Sequence, residues 1–443
     1  MKPWKSTFLE FKLSNILLFI LISFNCIGQE WEIVYPVPNI GRQVVSTFDS
    51  CYLATGTNGW NDPGITIKIS QEGEIVSVSP YGGYSIKQTY DSGYILAGSE
   101  NLEDAFLKKF DKFGNPVWNK IYGGSDEDYF SAVIQSSDSC FVACGYSQSY
   151  SDSMIYIVKT DKLGNLLWRR NFRCFIYGLA DDLIEIGSNY YISGHTQDSS
   201  YNYNPFIIKL SDAGETIWRK DFQMGFTGLS IALTQDSSLI TTGKNILSKF
   251  SLNGDSLWSR SFDPSFDILS VDTASEKGFI LSGGIQILTP SGFQSLNTLV
   301  KTDSLGNIVW TKNYPTGYDD FTGSFTSVIE TRDLGFVACG YSIYENSNIK
   351  MRVIKTDSVG SIVTNTDFQH KTESKQIFPN PTHGKVNINL VNITCFKVYN
   401  VSGSLVMSVD NNNEIDLSSL PNGIYLLKVF ASETITIEKV IKQ

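Results

Sequence analysis

The chain has 443 residues, 42% of them apolar and 13% aromatic, with a formal charge of −10. That content is enough to bury a large core in more than one domain and excludes a disordered chain. An acidic balance without a basic block argues against nucleic acid and anionic membrane surfaces as partners. Abundant Gly, Ser, Thr and Asn, with few helix-forming runs, favours all-β structure.

Residues 1–28 read as a signal peptide. Lys2, Lys5 and Lys12 form a positive start, and "NILLFILISF" (15–24) is apolar but short for a bilayer span. Cys26 and Gly28 are small residues three and one before a cut that leaves Gln29 first. Phe24 and Asn25 do not suit Cys26 as a lipidation site. No later segment has the length and apolarity of a transmembrane helix, so the mature chain is expected to have none. It keeps Cys51, Cys140, Cys144, Cys174, Cys339 and Cys395, with no CxxC pair or regular disulfide framework. Cys140 and Cys144, four apart on an expected strand, would be about 13 Å apart, too far to bridge. Small buried hydrophobes suit these cysteines.

"IVKTDKLGNLLWRRNF" (157–172) returns as "LVKTDSLGNIVWTKNY" (299–314). Aligned on its glycine, the phrase has seven copies, at Gly73, Gly114, Gly164, Gly214, Gly254, Gly306 and Gly360. Five residues earlier stands Lys68, Lys109, Lys159, Lys209, Lys249, Lys301 or Lys355, and three earlier an Asp or Ser. Four residues later stands Trp118, Trp168, Trp218, Trp258 or Trp310, replaced by Ser77 and Thr364 in the first and last copies. The Asp or Ser side chain can accept backbone N–H groups, and glycine takes the left-handed conformation that closes a type I turn with a bulge. Each copy is therefore a β-hairpin.

A second phrase, such as "CYLATG" (51–56) or "FVACG" (141–145 and 336–340), occurs once between successive hairpins, after a turn and another strand-like run. Units of 40 to 54 residues with four strands each predict a seven-bladed β-propeller over 29–366. The small residues of "FVACG" suit the narrow end of a wedge near the axis, and Trp the wide outer end. "WEIVYP" (31–36) matches "WNKIYG" (118–123), so the first strand is expected to complete the last blade and close the ring. The K-x-[DS]-x-x-G-x-x-x-W phrase resembles the tryptophan-docking repeats of quinoprotein-like propellers. That resemblance implies that each Trp packs against a neighbouring blade. The adjacent-cysteine and cation-site features of quinone dehydrogenases are not evident, so no cofactor is expected.

Residues 367–375 are polar and without strand periodicity, and read as a linker. Beyond it, strand-rich segments separated by Gly, Asn and Pro turns predict a small antiparallel β-sandwich over 376–443. This stretch resembles the type A carboxy-terminal sorting domain of the type IX (Por) secretion system. The matching residues are Phe378-Pro379-Asn380-Pro381 with Gly384, Val398-Tyr399-Asn400 with Gly403, Leu420-Pro421-Asn422-Gly423-Ile424-Tyr425, and the terminal Lys439-Val440-Ile441-Lys442. Ala431-Ser432-Glu433 and Glu438 depart from the pattern. The resemblance implies export through the periplasm and an outer-membrane translocon, to the medium or the outer cell surface. It assigns the sorting signal to Pro379, Asn380, Pro381, Gly384, Gly423, Tyr425 and Lys439.

Enzyme signatures are sparse. There are three histidines, His195, His370 and His383, and no nucleophile elbow, zinc helix, phosphate loop or paired-cysteine metal site. His195 in "ISGHTQ" has no visible partner and reads as a surface or packed residue. "SDEDY" (125–129) and "YDDF" (318–321) lack calcium-loop spacing and read as solvated turns. The repeated lysines are expected to cover Trp edges or pair with nearby Asp. No catalytic, cofactor or metal residue is therefore assigned. The expected function is a surface or secreted binding module for a glycan or protein ligand, with a carbohydrate-active hydrolase or lyase as the alternative.

Overall fold

The computed structural model describes residues 30–58, 64–100, 104–149, 154–174, 176–222, 230–289, 292–315, 322–344 and 348–362, then 377–378, 381–388, 393–400, 405–410, 414–431 and 435–443. The expected signal peptide, linker and "YDDF" loop lie outside these residues. The chain divides into two compact units, 1–364 and 365–443.

The first unit is a seven-bladed propeller of four-stranded antiparallel sheets. The first strands of the blades are Ile40–Ser46, Ser85–Gln88, Asp128–Gln135, Tyr177–Ile186, Ile231–Leu233, Phe266–Thr273 and Gly323–Glu330. Each contacts the next, and the last contacts the first, so the ring is closed around an axis. Blade 7 takes its fourth strand from the start of the chain: Trp31–Pro38 pairs antiparallel with Asn348–Thr356, Trp31 opposite Lys355. This is the closure expected from "WEIVYP".

The hydrophobic core lies between blades. Seven buried clusters each join two consecutive sheets. Between blades 2 and 3, for example, Ile95, Ala97 and Leu107 meet Phe130, Phe141, Ala143 and Tyr156. Strands such as Phe141–Ser147 are buried along their whole length because a neighbouring sheet covers each face. They run second from the axis; the innermost place belongs to the less regular first strands.

The repeated hairpin has the expected mechanics. Asp161 Oδ1 accepts the backbone N–H groups of Leu163 and Asn165, both at 2.8 Å, and Gly164 closes the turn at φ 78°. Its missing side chain serves a second purpose. A Cβ on Gly164 would stand 3.0 Å from the Trp118 ring of blade 2, and one on Gly214 2.8 Å from Trp168 of blade 3. The same docking joins Trp218 to Gly254, Trp258 to Gly306, Trp310 to Gly360 and, across the closure, Trp31 to Gly73. The indole N–H of Trp31 and of Trp168 donates to the carbonyls of Gln71 and Asp212 in the turn it covers.

Blade 1 has Ser77 in the Trp position, and at that seam Tyr94 stacks on Phe110 at 4.5 Å with its hydroxyl alone near Gly114. Five of the repeat lysines hold an aspartate of the preceding turn: Lys68–Asp49, Lys109–Asp91, Lys159–Asp138, Lys249–Asp236 and Lys355–Asp333, at 2.5 to 2.9 Å. Lys209 instead lies over the Tyr191 ring. Among the described residues the six cysteines are free thiols, with Cys144, Cys174 and Cys339 buried.

The second unit is a sandwich. Ile377–Phe378, Lys385–Ile388 and Glu414–Asp416 form one sheet; Leu405–Asp410, Ile393–Asn400, Gly423–Ala431 and Ile435–Lys442 form the other. Val386 and Ile415 from the first pack with Phe396, Val398, Tyr425, Leu427 and Val440 from the second.

The two kinds of seam respond differently to a methyl group. Gly114→Ala meets only the backbone penalty of a positive φ, about 1 to 2 kcal/mol. Gly164→Ala must also displace Trp118, adding about 1 kcal/mol or more. Urea unfolding of the two variants checks this, and equal losses would remove the docking role of the ring.

Candidate functional site

Antiparallel order within a blade sends the turns between strands one and two, and between three and four, to one face of the ring. These carry the repeated Asp and Gly residues. The connections between strands two and three, and from blade to blade, reach the opposite face and vary in length and sequence. The axis opens on both faces.

The mouth on the variable face is a polar cavity of 120 Å³. Bulges interrupt five first strands, between Gly41 and Gln43, Phe130 and Ala132, Ala180 and Asp182, Ile268 and Ser270, and Phe325 and Ser327. A bulge re-aims the extra side chain. Here the extra residues are Arg42, Ser131, Asp181, Leu269 and Thr326, and all five line the mouth with Tyr84.

One level deeper, polar side chains tie blade to blade. Gln43 Oε1 accepts the N–H of Ile86 at 2.7 Å, Ser85 Oγ that of Val133 at 3.2 Å, and Asp182 Oδ2 that of Ile231 at 3.1 Å. Gln43, Asp182, Ser230, Ser270 and Ser327 line this waist and face both mouths.

An aromatic belt runs from blade 2 to blade 4 on the variable face, met at its start by Arg42 of blade 1. The Arg42 guanidinium lies 5.0 Å from the Tyr84 ring centre, Tyr84 lies 5.7 Å from Tyr129, and Tyr129 lies 5.4 Å from Tyr146. Tyr146 neighbours Tyr177 at 5.2 Å, and the hydroxyls of Tyr129 and Tyr177 share a 2.9 Å hydrogen bond. Tyr177 and Tyr203 flank His195 at 5.9 and 5.4 Å. Burial pushes the Tyr177 hydroxyl up to about 12 and also raises Tyr84 and Tyr129. These hydroxyls therefore stay neutral hydrogen-bonding groups.

His195 is buried, and the structure supplies the partner that sequence did not: Nδ1 lies 2.8 Å from Asp181 Oδ2. Burial lowers the imidazole, but attraction to Asp181 and their hydrogen bond outweigh it, leaving His195 above its ordinary value. Burial raises Asp181 against the pull of His195. It also raises Asp182, opposed by the Lys87 charge and by donors from Ile231, Leu183 and Ser230. In the "SDEDY" turn, Ser125, Asp126 and Glu127 are exposed, while Asp128 is buried and accepts the Gly124 N–H. Among the described residues, no group of three or more His, Cys, Asp or Glu side chains is placed to hold a metal ion.

The opposite mouth is a cavity of 310 Å³ where Ile134, Ile184, Ala232 and Ile329 stand beside Lys87, Asp272, Thr273 and the polar waist residues. Burial pushes the Asp272 carboxyl up to about 6.

Sequence reasoning missed Arg42, Tyr84, Asp181 and Asp182, although a positional signal was present. Arg42, Tyr84, Ser131, Asp181, Leu269 and Thr326 each stand five residues before the turn that ends their first strand, counting to Thr47, Thr89, Ser136, Ile186, Ala274 and Thr331. That column varies, while the column two residues further on stays apolar as Val44, Ile86, Val133, Leu183, Val271 and Val328.

In the sandwich unit, the assigned sorting residues occupy different settings. Pro379 and Asn380 lie outside the described residues, and Pro381 is exposed. Gly384 donates its N–H to Thr382 Oγ1, and a Cβ there would meet Ser418 Oγ at 2.3 Å. Gly423 opens its strand opposite Lys442 with open space where a Cβ would stand, and the Tyr425 hydroxyl donates to the Pro421 carbonyl at 2.7 Å. Lys439 pairs with Leu426 in the sheet. Thr382 bridges Lys442, whose Nζ donates to the carbonyls of Ser418 and Leu420. Segments 381–384, 418–425 and 439–443 are thus brought together.

Residues 376–443 match the family described as "Secretion system C-terminal sorting domain". The C-terminal unit is a Por secretion sorting domain. It marks the chain for type IX export to the cell surface or extracellular space. Among the described residues, no helix is long and apolar enough to cross a membrane. No curated protein matches the chain. The WD40 β-propeller domain of Doa1 is similar at 12% identity and TM-score 0.50, over 74% of this chain and 95% of that one. Virginiamycin B lyase from Staphylococcus aureus gives 10% identity and TM-score 0.47, over 74% and 99%. A protein of unknown function from Bacteroides caccae gives 13% and 0.40, over 63% and 96%. The Doa1 likeness shows the propeller fold alone.

Asp272 offers a test of the axial electrostatics. The folded state holds its proton more tightly than the unfolded chain, so ionisation destabilises the fold as pH rises from about 4 to about 6. Asp272→Asn is expected to stabilise by up to about 2 kcal/mol near pH 7.5, solvent at the mouth screening the rest, with the gain fading toward pH 4. Urea melts at both pH values check it; a pH-independent gain would contradict the assignment.

Proposed function

We propose that this exported chain is a binding protein whose propeller takes a glycan at the variable-face mouth. The observation that carries the reading is that Arg42, Tyr84 and Asp181, from three blades, line one opening, and that Tyr129, Tyr177 and His195 continue from them in ring and hydrogen-bond contact. Tyrosine offers an apolar face to the C–H side of a sugar ring and a polar rim to its hydroxyls. A few fixed polar groups among such rings set orientation. Rigid blades hold these groups while the variable connections surround them.

Glycan-array screening of the mature chain tests this reading. Binding is expected, weakened about tenfold by Tyr84→Ala or by Tyr203→Ala, the scale of one aromatic contact. Tyr203 is exposed, so its loss leaves the core intact. A silent array together with capture of a defined protein ligand would replace the glycan reading with a protein-binding one.

A second reading, a carbohydrate-active hydrolase or lyase, draws on one observation. Asp181 holds His195 through Nδ1, and among the described residues Nε2 has no hydrogen-bond partner, the arrangement of an oriented general base. Polysaccharide turnover that His195→Ala abolishes while binding persists would establish it.

For the address, we propose that Pro379, Asn380, Pro381, Gly384, Gly423, Tyr425 and Lys439 act through the assembled sandwich, supported by the meeting of segments 381–384, 418–425 and 439–443. The domain limits 29–366, 367–375 and 376–443 belong to the same proposal. Deleting 376–443 is expected to leave the propeller inside the cell envelope, read by fractionation; unchanged export would reject it.

A further inference from the structure

We infer that Arg42 is an anchor for a carboxylate, and that the ligand of the variable-face mouth is an acidic glycan carrying uronic acid groups. This rests on the glycan reading above and names its substrate class.

Other guanidinium groups of this chain donate to protein partners. Arg352, 2% exposed, spends its donors inside the protein: Nε on Glu32 at 2.9 Å, Nη1 on Asn297 and the Tyr314 carbonyl, Nη2 on the Pro315 carbonyl. Arg219 pairs with Asp221, and Arg170 donates to the carbonyls of Gly214 and Ala213. Arg42 differs. Its Nε donates to Thr57 Oγ1 at 3.0 Å, which fixes the plane of the group. Among the described residues, neither Nη atom has a hydrogen-bond partner and no carboxylate pairs with it.

The two carboxylates of the same cavity are already committed. Asp181 bonds His195, and Asp182 accepts from Leu183, Ile231 and Ser230. Burial pulls the Arg42 pKa down, the sign of a cation short of compensation, although an arginine stays protonated. A half-buried guanidinium with its fork open to a cavity is matched by a planar anion bound through two parallel hydrogen bonds. Tyr84 lies under the group and Tyr129 packs against Tyr84, so the sugar that carries the carboxylate would have aromatic rings beside the anchor. The 120 Å³ mouth is small, so one sugar unit enters and the rest of the glycan follows the tyrosine belt toward Tyr203. An acidic peptide would satisfy the fork but make little use of that belt.

Calorimetry with the full mature chain tests the inference, using trimers of galacturonic, glucuronic and mannuronic acid, each beside its methyl ester. The ester keeps the ring and removes the charge. At least one acid is expected to bind about 10- to 100-fold more tightly than its ester, the factor of a hydrogen bond to a charged group. Arg42→Met is expected to weaken the acid by the same factor and leave the ester unchanged. The ester comparison uses unaltered protein, so a folding defect in the variant does not remove the test. Equal binding of acid and ester, or array hits confined to neutral glycans, would overturn the Arg42 anchor while glycan binding stood. Binding of acidic peptides with no glycan bound would overturn both.

Discussion

The propeller depends on one contact repeated around the ring: an indole from the outer strand of one blade resting on the glycine turn of the next. A single four-stranded sheet of this chain has two apolar faces and cannot bury either alone. The neighbour covers one face, and the Trp over Gly contact sets how the edges of the two sheets meet. The glycine answers two demands there, a positive φ for the turn and the absence of a Cβ beneath the ring. At the seam where Ser77 stands in place of Trp, Tyr94 stacks on Phe110 within blade 2, and Tyr81, in the connection from blade 1, packs against Phe110 at 5.6 Å. Packing must be filled at every seam, though by different residues.

Closure follows from the same physics. A ring of stacked sheets leaves two exposed faces unless its ends meet, and Trp31–Pro38 makes them meet by completing blade 7. Trp31 then docks on Gly73 as the other indoles dock on their turns. Once the ring is closed, the blades become a fixed frame. The face with the repeated turns is held by Lys–Asp pairs that recur from blade to blade. The other face is free to differ, and the distinctive side chains gather there. A bulge in five first strands turns one residue of each toward the axis without disturbing the cores behind.

Much of this architecture was legible in the sequence. The glycine-aligned offsets exposed the hairpins, the turn aspartates and the tryptophans, and the likeness of "WEIVYP" to "WNKIYG" indicated the closing strand. Turn chemistry is local, so a few adjacent residues suffice to reveal it. The radial order of strands was less accessible: "FVACG" has the small residues expected near the axis, yet it runs second. Its burial comes from the neighbouring sheets, and periodicity does not distinguish that from burial at the axis. His195 looked isolated because its partner, Asp181, lies 14 residues earlier on the adjacent strand.

By itself the sequence determined the repeat, the number of blades, the closing strand and the carboxy-terminal address, because each is carried by short-range patterns. Only the tertiary structure decided which residues share a mouth. Arg42, Tyr84, Ser131, Asp181, Leu269 and Thr326 are spread over more than 250 residues of chain, and they converge because the closed ring brings every first strand to a common axis. The same closure decided their chemistry. Burial at the axis raises the carboxyls of Asp181, Asp182 and Asp272 and leaves a guanidinium short of partners, effects set by surroundings that no linear stretch of residues contains.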